Sequence, residues 1–220
     1  MMLLAVPLRR VHIGAANRCH KQLGQWQAID RALDALAERF PEFDGDSVLL
    51  KATAINALYG TNVMAIWRMA DHVRKVIAET DLPSAGPQLV ERLAALPKAP
   101  RQKKDRRHLS FASKFTHFFV DRDRFPMMDK YTAKMVRFHL GRRQIIRDPA
   151  RPYSAFCENL KRLRSLAGLT CFTRELDHYL WLAGLYREWL GGNTKVNVEV
   201  KDLFEATSGQ TAADLRVMLG

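Results

Sequence analysis

The sequence predicts an all-α protein, and three observations carry that prediction. Apolar residues recur at three- and four-residue intervals along most of the chain, the runs end at proline or glycine, and only one short segment alternates as a strand would.

From Ala28, the positions Ile29, Leu33, Leu36, Ala37 and Phe40 share one helical face until Pro41 stops the run. Asp46 or Ser47 can cap a second helix from Val48 to about Ala57, which is nearly all apolar and expected to be central. Tyr59-Gly60-Thr61-Asn62 breaks it, and a third helix is expected from Val63 to about Glu79. After the turn at Asp81–Pro87, Gln88–Leu96 reads as a short amphipathic helix. The segment Pro97–Arg107 is basic and poor in apolar residues, as an exposed connector would be.

Two apolar-rich helical segments follow within His108–Leu140, and a second basic connector runs from there to Pro152. Helices are expected over Tyr153–Ala167 and Thr173–Leu190, the latter opened by Thr173 or Leu169-Thr170 and closed by Gly191-Gly192. Lys195–Val200, where Val196, Val198 and Val200 alternate, is the one strand candidate. A lone strand makes no sheet, so extended or coil structure is expected there. Short helices are expected over Asp202–Thr207 and Thr211–Met218, for a total of about nine or ten. Core candidates are Leu49, Ile55, Leu58, Ile66, Phe111, Phe118, Met128, Met135, Leu163, Leu180 and Trp181.

With 35 Lys and Arg against 23 Asp and Glu, the chain carries a formal charge of +12, which points to a polyanionic partner, nucleic acid first. It is 47% hydrophobic and so is not a disordered polycation. The cysteines Cys19, Cys157 and Cys171 are few and widely spaced, which argues against a disulfide framework and a zinc site, and each is expected to be a small buried apolar residue. No glycine-rich phosphate loop, HExxH or GxSxG is present, and neither a metal nor a cofactor is expected. Met1–Pro7 is apolar with Arg9 and Arg10 behind it, the wrong order for an export signal. A cytoplasmic, nucleoid-associated monomer with no membrane partner is the expectation.

The chemistry-bearing feature is HLSFASKFTHFFVDRDRFPMMDKYTAKMVRFHL. Lys114 lies inside the first apolar helix, and Asp129 follows Phe125-Pro126-Met127-Met128 and opens the second. The plain alternative is a lysine that snorkels to water and an aspartate that only caps.

Phe111-Ala112-Ser113-Lys114-Phe115 followed by Phe125-Pro126-Met127-Met128-Asp129 resembles the helix-hairpin-helix DNA glycosylase superfamily, nearest its 8-oxoguanine glycosylase/DNA lyase branch. Leu49–Asn62 is similar to the helix and polar turn with which these enzymes probe DNA. The chain departs from the family's leucine-proline-glycine-x-glycine hairpin: Arg106-Arg107-His108-Leu109-Ser110 stands there without a glycine.

The resemblance implies one all-helical unit over 1–220 with two lobes and a central cleft, an internal lobe at about 48–140 and a second lobe from the remaining terminal helices. It implies a DNA glycosylase acting on a damaged or modified base in double-stranded DNA, with or without abasic-site lyase activity, in base-excision repair or anti-phage defence. Lys114 would be the nucleophile, because an apolar setting disfavours the ammonium and releases the amine. Asp129 would stabilise the oxocarbenium-like charge. Tyr59 would fill the vacated base position and Asn62 would probe the opposite base. Arg106 and Arg107 would contact phosphate, and Asp177 and His178 would face the base pocket. The competing reading is a non-catalytic DNA-binding protein of the same fold, acting as a sensor or as a component of a defence or restriction system.

Overall fold

The computed structural model describes residues 3–98, 107–192 and 195–219. Among these the chain is all α, with eleven helices and no strand. They divide into two compact units, one formed by Met1–Ala28, Asp129–Arg147 and Phe156–Gly220, the other by Ile29–Met128 and Asp148–Ala155. Lys114 and Asp129 fall in different units. Arg106 lies outside the described residues.

Helix α1 (Arg10–His20) precedes the first helix expected from sequence. Its buried face is Ile13, Ala15, Ala16, Cys19 and His20, too small and mixed to stand out as an apolar stripe. Helix α2 (Gly24–Arg39) starts four residues before Ala28 and ends ahead of Pro41. Helix α3 (Gly45–Leu58) is capped by Asp44, not Asp46 or Ser47: the Asp44 carboxylate accepts the Ser47 N–H at 2.8 Å. The Ser47 hydroxyl turns back to the Glu42 carbonyl.

Helix α4 (Ile66–Ala78) begins three residues later than the apolar pattern suggests. Asn56 explains the delay. Its amide oxygen accepts the Val63 N–H at 2.8 Å and its amide nitrogen donates to the Val63 carbonyl at 3.2 Å, which holds the loop out of the helix. Helix α5 (Gln88–Ala94) and helix α6 (Leu109–Phe119) pack together, and the His108 N–H donates to the Ala94 carbonyl at 2.9 Å. Helix α6 also packs on α3, and every residue from Phe111 to Phe119 is buried.

Helix α7 (Lys130–Leu140) packs along α9 (Thr173–Leu190). At Gly184 an added Cβ would come within 2.9 Å of the Tyr131 carbonyl oxygen, so only glycine allows this approach. Helix α8 (Pro152–Ala167) follows the second connector. The opening of α9 differs from expectation: Phe172 is the N-cap, and its N–H donates to the Glu175 carboxylate at 3.0 Å. Helices α1, α9 and α11 (Gly209–Leu219) pack mutually, tied by Arg18 to Asp214 at 2.6 Å.

The strand-like segment is coil over residues 195–197, as expected, but helical from Val198. Helix α10 (Val198–Phe204) is capped by Asn197, whose side chain accepts the Val200 N–H at 2.9 Å. Val200, Leu203 and Phe204 are buried at three- and four-residue spacing, while Val198 faces solvent. With no second strand to pair with, the helical period prevails over the β-branched alternation.

Of the expected core, Ile55, Phe111, Phe118, Met135, Leu163 and Leu180 are buried. Leu49, Ile66, Met128 and Trp181 are half-buried and Leu58 is exposed; Met128 lies between α6 and α7, outside any helix. The three cysteines are buried free thiols, and burial pushes the Cys19 thiol up to about 11. No helix among the described residues is long and apolar enough to cross a membrane.

Candidate functional site

Lys114 does not snorkel. It is 4% exposed, in the middle of α6, and its ammonium donates to the Ser110 hydroxyl one turn earlier at 2.9 Å. The ammonium also stands 5.5 Å from the centre of the Tyr59 ring, a cation–π distance. The Tyr59 ring packs tilted against that of Phe118, centres 5.7 Å apart, and its hydroxyl donates to Asp30 at 3.0 Å. A charge held this deep costs stability unless several groups solvate it.

The segment leading to Asp129 is fixed by the same helix. The Ser113 hydroxyl accepts the Met128 N–H at 3.0 Å, and His117 Nδ1 donates to the Phe125 carbonyl at 2.9 Å. Tyr153, fully buried at the start of α8, donates its hydroxyl to the Pro126 carbonyl at 2.9 Å. Three side chains thus hold three backbone groups of the Phe125–Met128 segment, and Phe125 is wholly buried.

Asp129 caps α7 in both directions. Its Oδ1 accepts the N–H groups of Tyr131 at 2.8 Å and Thr132 at 2.9 Å, and the Thr132 hydroxyl accepts the Asp129 N–H at 2.9 Å. The carboxylate therefore sits at the positive end of a helix dipole in one orientation.

The other sequence-predicted residues are distributed as follows. Asn62 is exposed with φ 56°, the left-handed region that asparagine tolerates. Met64 in the same α3–α4 loop and Trp67 in the first turn of α4 are 89% and 70% exposed. Tyr59 is half-buried and engaged as described. The Arg107 guanidinium donates to the Pro149 and Ala150 carbonyls at 3.2 and 2.8 Å. Asp177 is buried on α9. His178 donates from Nδ1 to the Asn17 amide oxygen at 2.7 Å and stacks on His20 with ring centres 3.7 Å apart.

Sequence reasoning missed Ser110, Ser113 and His117. The signal was present: with Lys114 they recur at intervals of three, one and three residues, a polar stripe along α6 beside the stripe of Phe111, Phe115 and Phe118. Asp30 and Tyr153 had no local signal, since their partners lie far along the chain. Lys51 was also missed: it is 1% exposed, donates to the Glu42 carbonyl at 2.6 Å and lies over the Phe43 ring at 4.2 Å. Burial pushes its ammonium below the ordinary lysine range.

Comparison with known proteins adds one match. Residues 12–124, just over half of the chain, match the family HI_0787_N, described as an N-terminal domain. The match takes in Tyr59, Asn62 and Lys114 and ends five residues before Asp129. No curated protein and no solved structure matches. The chain therefore belongs to the HI_0787_N family, whose domain it carries over residues 12–124.

Proposed function

We propose that this chain is a DNA glycosylase with the two-lobed helix-hairpin-helix fold, removing a damaged or modified base from double-stranded DNA. The observation that carries the reading is Lys114: a lysine 4% exposed, bonded to Ser110, on a helix whose neighbouring turns are phenylalanine. Deprotonated, its amine attacks C1′ of a nucleotide turned out of the duplex. The N-glycosidic bond breaks with its electron pair going to the departing base, which then takes up a proton. The adduct nitrogen sheds a proton and its lone pair then opens the sugar ring, O4′ taking up a proton as the C1′–O4′ bond breaks, which leaves an iminium on Lys114; Asp129 stabilises the positive charge that develops at C1′. Hydrolysis of the iminium regenerates the lysine, either directly or after a C2′ proton is lost and the 3′ phosphate leaves with the C3′–O electron pair.

In this reading the exposed loop residues Asn62 and Met64 and the exposed Trp67 at the start of α4 are better available to enter a base stack than Tyr59, whose hydroxyl is bonded to Asp30. Asp177 and His178 retain their proposed place toward the base. A second reading, DNA binding without catalysis, draws on Asp129 Oδ1, because the cap by itself accounts for an aspartate at this position.

The test is borohydride trapping. Incubated with duplexes bearing oxidised, alkylated, deaminated or phage-type modified bases, the protein should release base and form a reducible adduct with one class. An inert protein that still binds duplex DNA selects the second reading.

A further inference from the structure

The glycine-free hairpin leaves open which part of the chain grips the phosphate backbone. Arg107 is committed to the Pro149 and Ala150 carbonyls, so its charge serves the fold. The stretch from Gly141 to Arg147 is built differently. Asn159, buried on α8, holds Ile146 at both ends of its peptide unit: its amide oxygen accepts the Ile146 N–H and its amide nitrogen donates to the Ile146 carbonyl, each at 2.9 Å. Gln144 donates to the Leu3 carbonyl at 2.7 Å, and Arg162 donates to the Gln144 carbonyl at 3.0 Å. Gly141 opens the loop at φ 75°, where a Cβ would stand 2.8 Å from that of Ala5. Five independent constraints on so short a segment make it a rigid platform.

That platform presents Arg142, Arg143 and Arg147 to solvent, and their guanidinium groups make no hydrogen bond or ion pair among the described residues. The acidic residue next in sequence, Asp148, is taken by Arg151 at 3.0 Å and by the N–H groups of Ala150 and Arg151. Three unpaired guanidinium groups on a pre-ordered loop concentrate positive potential there, which attracts a polyanion. Because the backbone is already fixed, little ordering entropy is lost on binding. The side chains can take phosphate oxygens in paired hydrogen bonds, which Lys cannot reproduce.

We infer that the Gly141–Arg147 loop is a phosphate-gripping surface for the DNA backbone, standing in for the missing hairpin glycines. This rests on the DNA reading given under Proposed function. The loop reads no sequence; its contacts set the register of the duplex.

The experiment is fluorescence anisotropy with the full chain and an undamaged labelled duplex of about 20 base pairs, titrated from about 50 to 200 mM salt. Each phosphate contact contributes about 0.9 to the slope of log affinity against log salt, or roughly eightfold in affinity at about 0.1 M salt. R142A/R143A/R147A should lower the slope by about 2 to 3. R142K/R143K/R147K should keep most of the slope and bind a few-fold more weakly. The control R31A/R39A/R216A removes three other exposed arginines that make no hydrogen bond or ion pair among the described residues, and so the same net charge, and should change the slope by less than about one contact. Equal losses in the loop and control triples would overturn the loop as an interface while leaving DNA binding intact. Wild type showing no salt-dependent binding to duplex would instead sink the DNA reading itself, and the loop's role with it.

Discussion

The hydroxyl of Ser113 accepts the backbone N–H of Met128 at 3.0 Å, fifteen residues away in sequence and one residue before Asp129. A buried serine at the centre of an apolar helix thereby sets the path of the chain into the start of α7. With His117 and Tyr153 it makes the Phe125–Met128 backbone a fixed element, although it belongs to no helix.

Ser113→Ala should cost about 1–3 kcal/mol, because the Met128 N–H loses its acceptor. For a chain of this length each kcal/mol lowers the thermal midpoint by about 2–4 °C. Urea denaturation of the variant against wild type measures it directly. A loss below about 0.5 kcal/mol would show that water replaces the hydroxyl at no penalty.

Lys114→Met should separate chemistry from folding. Methionine fills nearly the same volume and removes a buried charge, so stability should be unchanged or higher. Base release and the trapped adduct should both vanish, while duplex binding survives. Retained base release with no adduct in wild type would leave a monofunctional enzyme that acts through water.

Asp129 is tested with two substitutions of different capping strength. Asn caps about as well as Asp, so Asp129→Asn should fold with near wild-type stability, whereas Asp129→Ala should cost about 0.5–2 kcal/mol. Turnover should fall steeply in both. Full turnover in Asp129→Asn would reduce this aspartate to a helix start.

Gly184→Ala should destabilise by about 1–3 kcal/mol, since the new methyl group would meet the Tyr131 carbonyl oxygen at 2.9 Å and Met135 at 3.0 Å. The strain falls on the first turn of α7, which Asp129 caps, so any turnover should drop further than the stability loss accounts for. A variant as stable as wild type would mean that α7 and α9 can part without penalty.

Acid stability should report Asp214. The Arg18 guanidinium beside it holds its carboxyl below the ordinary carboxylate range, and the Gln210 amide adds a hydrogen bond at 2.9 Å. A depressed folded-state value means the contribution is present in full above the unfolded carboxylate's range, near pH 4, and fades as pH falls toward the folded value. Asp214→Asn should therefore lose about 1–3 kcal/mol at neutral pH and show a shallower loss of stability below about pH 4. Urea midpoints from neutral pH down to about pH 2.5 decide this; parallel curves for the two proteins would remove Asp214 from the acid response.

The sequence by itself determined the helical class and most helix positions, and it offered Lys114 and Asp129 as candidates for the proposed chemistry. Periodicity and terminators are local properties, written within a few residues, and so α9 could be read at its full length from Thr173 to Leu190. It also carried the α6 polar stripe, although Ser110, Ser113 and His117 acquire meaning only once their partners are in place. Tertiary structure decided the rest. Helix α1 is held by packing on α9 and α11 through a face of small residues with no apolar signature of its own. Helix α10 became a helix because Asn197 caps it and Val200, Leu203 and Phe204 find a core, against the strand preference of its valines. Tyr59 turned inward because Asp30, twenty-nine residues earlier, offers its carboxylate. The physical reason is the same in each case: burial and hydrogen-bond satisfaction are set by groups distant in sequence, and at about 1–3 kcal/mol per buried group they outweigh propensities of a few tenths.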